Sequence, residues 1–231
     1  MRFHLPLLAL AAMLAAPAAA ATRNFGVSGF DRVRVDGPFK VTLSTGIAPF
    51  ARASGPQAAL DRLAVDVEGR TLVVRPARSS WGGYPGEAQG PVEIVIGTHE
   101  LGSAWVNGAG SLTIDKVRGL SFDLSVQGPG LIGIQQADVD QLRIAIAGTG
   151  SVSLAGKAGK VTAIVRGVSS LDATGLVAKD AKIGAEGPAT IKATVTNEAV
   201  VDGSGVATIT LAGSPSCTAK LTGSASISGC R

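Results

Sequence analysis

A glycine-led turn signal returns at a nearly fixed interval through the second half of the chain. It reads Asn107-Gly108-Ala109-Gly110, Gln127-Gly128-Pro129-Gly130 and Ala147-Gly148-Thr149-Gly150, then loses its second glycine in Gly167-Val168-Ser169 and Gly187-Pro188-Ala189. It recurs as Asp202-Gly203-Ser204-Gly205 and ends in Gly213-Ser214-Pro215 and Gly223-Ser224-Ala225. Taking Gly108, Gly128, Gly148, Gly167, Gly187, Gly203, Gly213 and Gly223 as leaders, the steps are 20, 20, 19, 20, 16, 10 and 10. A step of about twenty residues that halves to ten marks a unit stacked along an axis. Glycine suits the corner because a tight turn often needs positive φ, which a side chain makes costly.

The residues flanking each turn define the unit. Leu112 and Ile114, Ile132 and Ile134, Val152 and Leu154, Leu171 and Ala173, and Ile191 and Ala193 alternate with Thr113, Gly133, Ser153, Asp172 and Lys192. Before the turns, Phe122, Leu124 and Val126 repeat the pattern, as do Leu142, Ile144 and Ile146. Period-two alternation means strands with one buried face. Each unit is therefore strand, glycine turn, strand and a looser return, and stacking such units gives an all-β solenoid of about 20-residue coils. Antiparallel hairpins closed into a sandwich or barrel would look similar, but the returning register favours the solenoid. Helical periodicity is nearly absent. Trp105, beside Val106 on a strand, is expected to be packed.

Residues 1–21 have another texture. Arg2 and His4 precede an apolar run from Leu5 to Ala16, and small residues follow at 18–21, the pattern of a secretory signal peptide. The run is too short to span a membrane and Pro17 interrupts it. Without Arg2 the balance is 20 basic against 17 acidic residues, a net of +3 scattered over outward strand positions. That is no footprint for nucleic acid. The expected location is outside the cytoplasm: periplasm, outer surface or extracellular.

The two cysteines, Cys217 and Cys230, both lie near the C-terminus. Export makes a disulfide the first expectation. Counted from Gly213, Cys217 takes the place of Leu112 and should point inward, so a bridge would staple the last coil.

The first half is less regular. Short alternating stretches, such as Val33–Val35, Phe39–Leu43 and Leu63–Val67, are split by Asp36-Gly37-Pro38, Gly46, Gly55-Pro56 and Gly69. A Gly/Pro-rich loop at 78–91 follows. The organisation read here is a leader at 1–21 and one domain at 22–231. In that domain, 22–100 are irregular coils sealing the N-terminal end, and 101–231 are regular repeats.

The opening Gly29-Phe30-Asp31-Arg32-Val33-Arg34-Val35 with Gly37-Pro38-Phe39-Lys40-Val41-Thr42-Leu43, the Gly-x-Gly series and the paired-cysteine ending resemble the head GIN domain family. The resemblance runs over about 25–231 and is carried by the ordered set. It implies a right-handed parallel β-helix, an exported bacterial adhesin-like role with no established activity, and trimers in some members. The chain departs from the pattern at Val168-Ser169 and Pro188-Ala189.

Three function classes follow. A binding module for a surface glycan or protein is the leading expectation, with Trp81 and Tyr84 in the 78–91 loop as its candidate contacts. These aromatics could instead fold back as a lid. A self-assembling envelope protein is the second class. An enzyme of pectin-lyase-like architecture is the third and is disfavoured. The acids Asp115, Asp123, Asp138, Asp140, Asp172, Asp180, Glu186, Glu198 and Asp202 are dispersed, and His99 lacks a sequence neighbour to work with. No cofactor or metal site is expected.

Overall fold

The computed structural model describes residues 21–77 and 91–231. The leader and the loop carrying Trp81 and Tyr84 lie outside the described residues. Five long strands dominate: β9 (Ser111–Gln127), β10 (Leu131–Gly148), β11 (Ser151–Gly167), β12 (Ser170–Glu186) and β13 (Thr190–Ser204). Each pairs in parallel with the next, one full coil on, and the ladder continues around the bends where a looser return was expected. Together with the shorter coils these form a β-solenoid of about six turns.

Inside–outside alternation resets twice within a coil. In β10, Ile132 and Ile134 face in, Gln135 and Gln136 are both exposed, Ala137 and Val139 face in, and Asp140 and Gln141 are both exposed. Leu142, Ile144 and Ile146 then complete the buried set. Two outward residues in succession break the period of two, so the chain bends there. Each coil thus has three walls and three corners, the third corner being the glycine turn.

The core is built from columns of equivalent residues. In the first wall Val41, Leu112, Ile132, Val152, Leu171, Ile191 and Ile209 lie in register, all at most 2% exposed. In the third wall the column beginning with Phe122 shrinks along the axis to Leu142, Val161, Ala181 and Ala199 before reaching Cys217. Cys217 is therefore the counterpart of Phe122, not of Leu112.

That displacement comes from the glycine register. The turn glycines that stack are Gly37, Gly108, Gly128, Gly148, Gly167, Gly187, Gly205 and Gly223, each with positive φ. Gly205 therefore leads its turn, and the last two coils are 18 residues long. Gly203 is an inward strand position, where an added Cβ would come within 2.8 Å of Leu221. Gly213 serves a different corner, against the Val195 carbonyl. The apparent ten-residue steps mix two corners of one coil. The second turn position also faces in: an added Cβ at Gly150 would lie 2.5 Å from Val126, whereas the later coils accept Ser169, Ala189 and Ala207 there.

The N-terminal part is more regular than its sequence. Strands β2 (Arg32–Asp36) and β3 (Lys40–Thr45), joined through Gly37, form a coil aligned with the repeats. In space it sits between the coil of β6 (Thr71–Pro76) and β7 (Glu93–Thr98) and the one begun by β8 (Ser103–Asn107). The chain then reverses to close the end. β1 (Ala21–Phe25) pairs antiparallel with β4 (Phe50–Gly55), β4 with β7, and β5 (Leu63–Glu68) with β6. The four-residue helix α1 (Gln57–Leu60), absent from the sequence reading, plugs this end with Leu60.

At the other end β14 (Thr208–Ala212), β15 (Ser216–Leu221) and β16 (Ser226–Ser228) form a final partial coil. Its inward residues Ala219 and Leu221 are covered by no further coil among the described residues. Cys217 and Cys230 are bonded across it, with Cα atoms 5.7 Å apart. Trp105 is not a core residue. It sits outward on the third wall between Arg34 and Ser125, half-buried, because its strand partners Ala104 and Val106 take the inward positions.

Candidate functional site

The two long outer faces differ in chemistry. On the first wall, one outward column runs Ser111, Leu131, Ser151, Ser170, Thr190, Thr208, Ser226. The column beside it runs Thr113, Gly133, Ser153, Asp172, Lys192, Thr210, Ser228. Strand geometry spaces such positions at about 4.8 Å between coils and about 6.6 Å along a strand. The result is a regular hydroxyl array; Ser151 and Ser170 even touch across coils, Oγ to Oγ at 2.7 Å. The third wall is charged instead, with Arg143 on Asp123 at 3.2 Å and Arg166 on Glu186 at 3.0 Å. A hydroxyl face costs less to desolvate than a charged one and offers donors and acceptors to replace the lost water; an ion-paired face must break its pairs first.

The array is interrupted by a recess of about 370 Å³ between Thr113 and Gln135 on one side and Asp172 and Thr174 on the other. Its floor is Gly133, Ser153 and Ala155, whose small size creates the depression. A volume in this range accommodates a small ligand. Asp172 is its charged group. Oδ1 accepts from the Thr174 hydroxyl at 2.7 Å and the Thr174 N–H at 3.1 Å. These bonds, helped by the neighbouring Lys192 charge, hold its carboxyl below the ordinary range. Oδ2 receives no bond among the described residues, leaving an anionic acceptor facing solvent.

Other singled-out residues fall elsewhere. The turn glycines are backbone devices at one corner. The disulfide closes the last coil. Asp138 and Asp140 flank the second corner, Asp138 pairing with Lys157 at 3.3 Å. His99 lines a separate recess. In the sequence Thr113, Gly133 and Ser153 stand out only as the polar partners of the strand alternation, and Asp172 additionally as one of the dispersed acids. Their outward alignment was already implicit in the repeat and could have been read as a surface. Thr174 was missed altogether, because its bond to Asp172 forms at a corner the alternation does not describe. No helix among the described residues is long and apolar enough to cross a membrane.

The fold recurs in solved structures. A putative adhesin from Bacteroides fragilis superposes with a TM-score of 0.79 at 20% identity, over 90% of this chain and 96% of that one. A putative adhesin from Parabacteroides merdae gives 0.69 at 16%, over 90% and 95%. A structure titled as a putative lipid binding protein from Parabacteroides distasonis gives 0.68 at 21%, also over 90% and 95%. At these identities the likeness is one of fold. No curated protein matches the chain. The family model described as "putative auto-transporter adhesin, head GIN domain" matches residues 29–215, most of the chain, and the protein belongs to that family.

Proposed function

We propose that this adhesin-like β-helix protein is an exported, non-catalytic binding module that engages a surface glycan or protein through the hydroxyl face of its first wall. The observation that carries this is the face itself. Two outward columns of seven positions each, rich in hydroxyls, surround a recess with an available carboxylate oxygen. Many weak, regularly spaced hydrogen bonds suit a repetitive partner such as a polysaccharide chain.

Export is supported by the leader-like residues 1–21 and by the Cys217–Cys230 bond, which persists in oxidising compartments. The non-catalytic reading is supported by the state of the acids: Asp123, Asp138 and Glu186 each hold a basic partner, and Asp180 accepts from Asn197 at 2.7 Å.

The test is a glycan and cell-surface binding screen with the purified protein and a Ser151→Lys, Ser170→Lys variant. Binding that survives both lysines removes the first wall from consideration. Light scattering on the same sample addresses self-assembly. A protein that is oligomeric and loses its oligomers with these lysines uses the face for copies of itself.

A further inference from the structure

A second recess, of about 270 Å³, opens where three separate stretches of chain meet. Thr45 and Gly46 leave β3, His99 to Leu101 join β7 to β8, and Lys116 to Arg118 turn the first corner of β9. Leu101 and Val117, 4% and 1% exposed, give it an apolar floor. Its rim carries three basic side chains, His99, Lys116 and Arg118, and one carboxylate, Glu100.

Among the described residues the nearby acids form no ion pair with these three basic side chains. Asp115 Oδ1 accepts from the backbone N–H groups of Thr45 and Lys116, at 3.0 and 2.5 Å. Asp138, the register neighbour of Arg118, holds Lys157. Glu100 faces Arg70 at 3.9 Å. The side chains of His99, Lys116 and Arg118 make no hydrogen bond or ion pair among the described residues. On the third wall, by contrast, Arg143 and Arg166 each find an acid one coil away. The frame beneath the rim is fixed. Gly46 N–H donates to the His99 carbonyl at 3.0 Å, and the Thr45 hydroxyl to the Lys116 carbonyl at 2.9 Å. The buried Thr98 hydroxyl anchors the linker through the Phe30 carbonyl at 2.8 Å.

Preformed backbone, unpaired cations and an apolar floor together fit a ligand with an oxyanion on a compact, partly apolar body. We infer that this recess binds the carboxylate of an acidic sugar. Lys116 and Arg118 take the oxyanion, and Leu101 and Val117 meet the C–H face of the ring. The site lies at a corner, apart from the hydroxyl face, and does not depend on it.

Titration by NMR, following the His99 ring and the Lys116 and Arg118 amides, tests this with sodium glucuronate, glucose and inorganic phosphate as probes. Glucuronate is expected to shift these signals saturably, glucose to leave them unmoved, and about 0.5 M salt to weaken the effect. Lys116→Gln with Arg118→Gln should weaken glucuronate binding about tenfold or more, since each charged hydrogen bond removed is worth a substantial fraction of that factor. Lys182→Gln, a lone lysine on the third wall, should change nothing. Neither rim side chain holds the fold, so the melting temperature should stay put; the single variants provide the same readout independently. Equal shifts with glucose, or an unaltered glucuronate affinity in the double variant, overturn the site. Phosphate binding as tightly as glucuronate overturns the sugar assignment.

Discussion

The glycine corner and the first corner occupy the same coils, yet they are solved in opposite ways. At the glycine corner each coil repeats the one before, backbone on backbone, and an added Cβ at Gly148 or Gly187 would meet the preceding glycine directly. At the first corner every coil differs: Asp115-Lys116, Gln135-Gln136, Ala155-Gly156, Thr174-Gly175 and Thr194. Gly119, at the second corner, looks into open space, whereas Gly156 packs against Ala137. One corner is held to glycine in every coil, whereas the others carry side chains in most coils and demand glycine only at single positions such as Gly156, where an added Cβ would lie 2.1 Å from the Ala137 carbonyl oxygen. Both recesses reach the free side, through Gln135 and Thr174 in one and Lys116 and Arg118 in the other. Geometry that must repeat exactly cannot also be a site, and corners that may vary can.

The contrast breaks hardest at Gly167. Its φ is +86°, and an added Cβ would lie 2.5 Å from the Gly148 carbonyl oxygen. Gly167→Val combines a left-handed β-branched residue with a backbone collision, and the expected loss is about 3 kcal/mol or more. Urea unfolding measures it. A loss below about 1 kcal/mol would mean the ladder can slide, and the corner is not invariant.

Among the described residues no further coil stacks on the final one, and the Cys217–Cys230 disulfide closes it. A closed loop of this length constrains the unfolded chain by about 3 kcal/mol on entropic grounds. Reduction should therefore fray β15 and β16 first. Hydrogen exchange is expected to quicken there while β9 to β12 stay protected. Uniform loss across all coils would instead mark the solenoid as a single cooperative unit.

The regular coils were legible because their period lies in contiguous sequence: the twenty-residue step and the inward columns at Leu112 and Phe122 could both be counted. The solenoid followed from that, while the family resemblance also needed the opening stretch from Gly29 to Leu43 and the paired cysteines. The register slipped at Asp202-Gly203-Ser204-Gly205, where two glycines compete and only contact with Gly187 selects the second. The coil through Gly37 was hidden for another reason. Its spatial neighbour Gly108 is 71 residues away, and no periodicity search spans a chain that leaves the stack, caps the end and returns. Both recesses were illegible as sites, since each is assembled at corners where alternation stops and side-chain direction no longer follows from residue number.

Gly119→Ala sharpens the comparison by separating backbone strain from collision. Its φ of +136° disfavours a side chain, but nothing lies within 4 Å of the new Cβ. The expected loss is about 1–2 kcal/mol, the conformational part alone. A cost matching that of Gly167→Val would show that this corner is as constrained as the glycine one.

The smallest effect belongs to Thr174 at the first corner, where function and stability part. Both its bonds go to Asp172 Oδ1 and favour the ionised carboxylate. Thr174→Val removes the hydroxyl bond and keeps the N–H bond, so the Asp172 pKa should rise toward its ordinary value of 3.8. For a carboxyl depressed by folding, the associated stabilisation is present above the unfolded pKa and fades as pH falls through the folded one. The variant should therefore be indistinguishable in stability from the parent in strong acid and at most slightly weaker at neutral pH, because the group is exposed and solvent screens it. Carbon-detected NMR titration of the Asp172 carboxyl reads the shift directly. If the pKa stays low in the variant, the retained Thr174 N–H bond rather than the hydroxyl holds the charge, and Lys192→Gln then reads the smaller share of the lysine. Either result moves the recess without moving the fold, which is what an exposed side chain at a bend in the ladder allows.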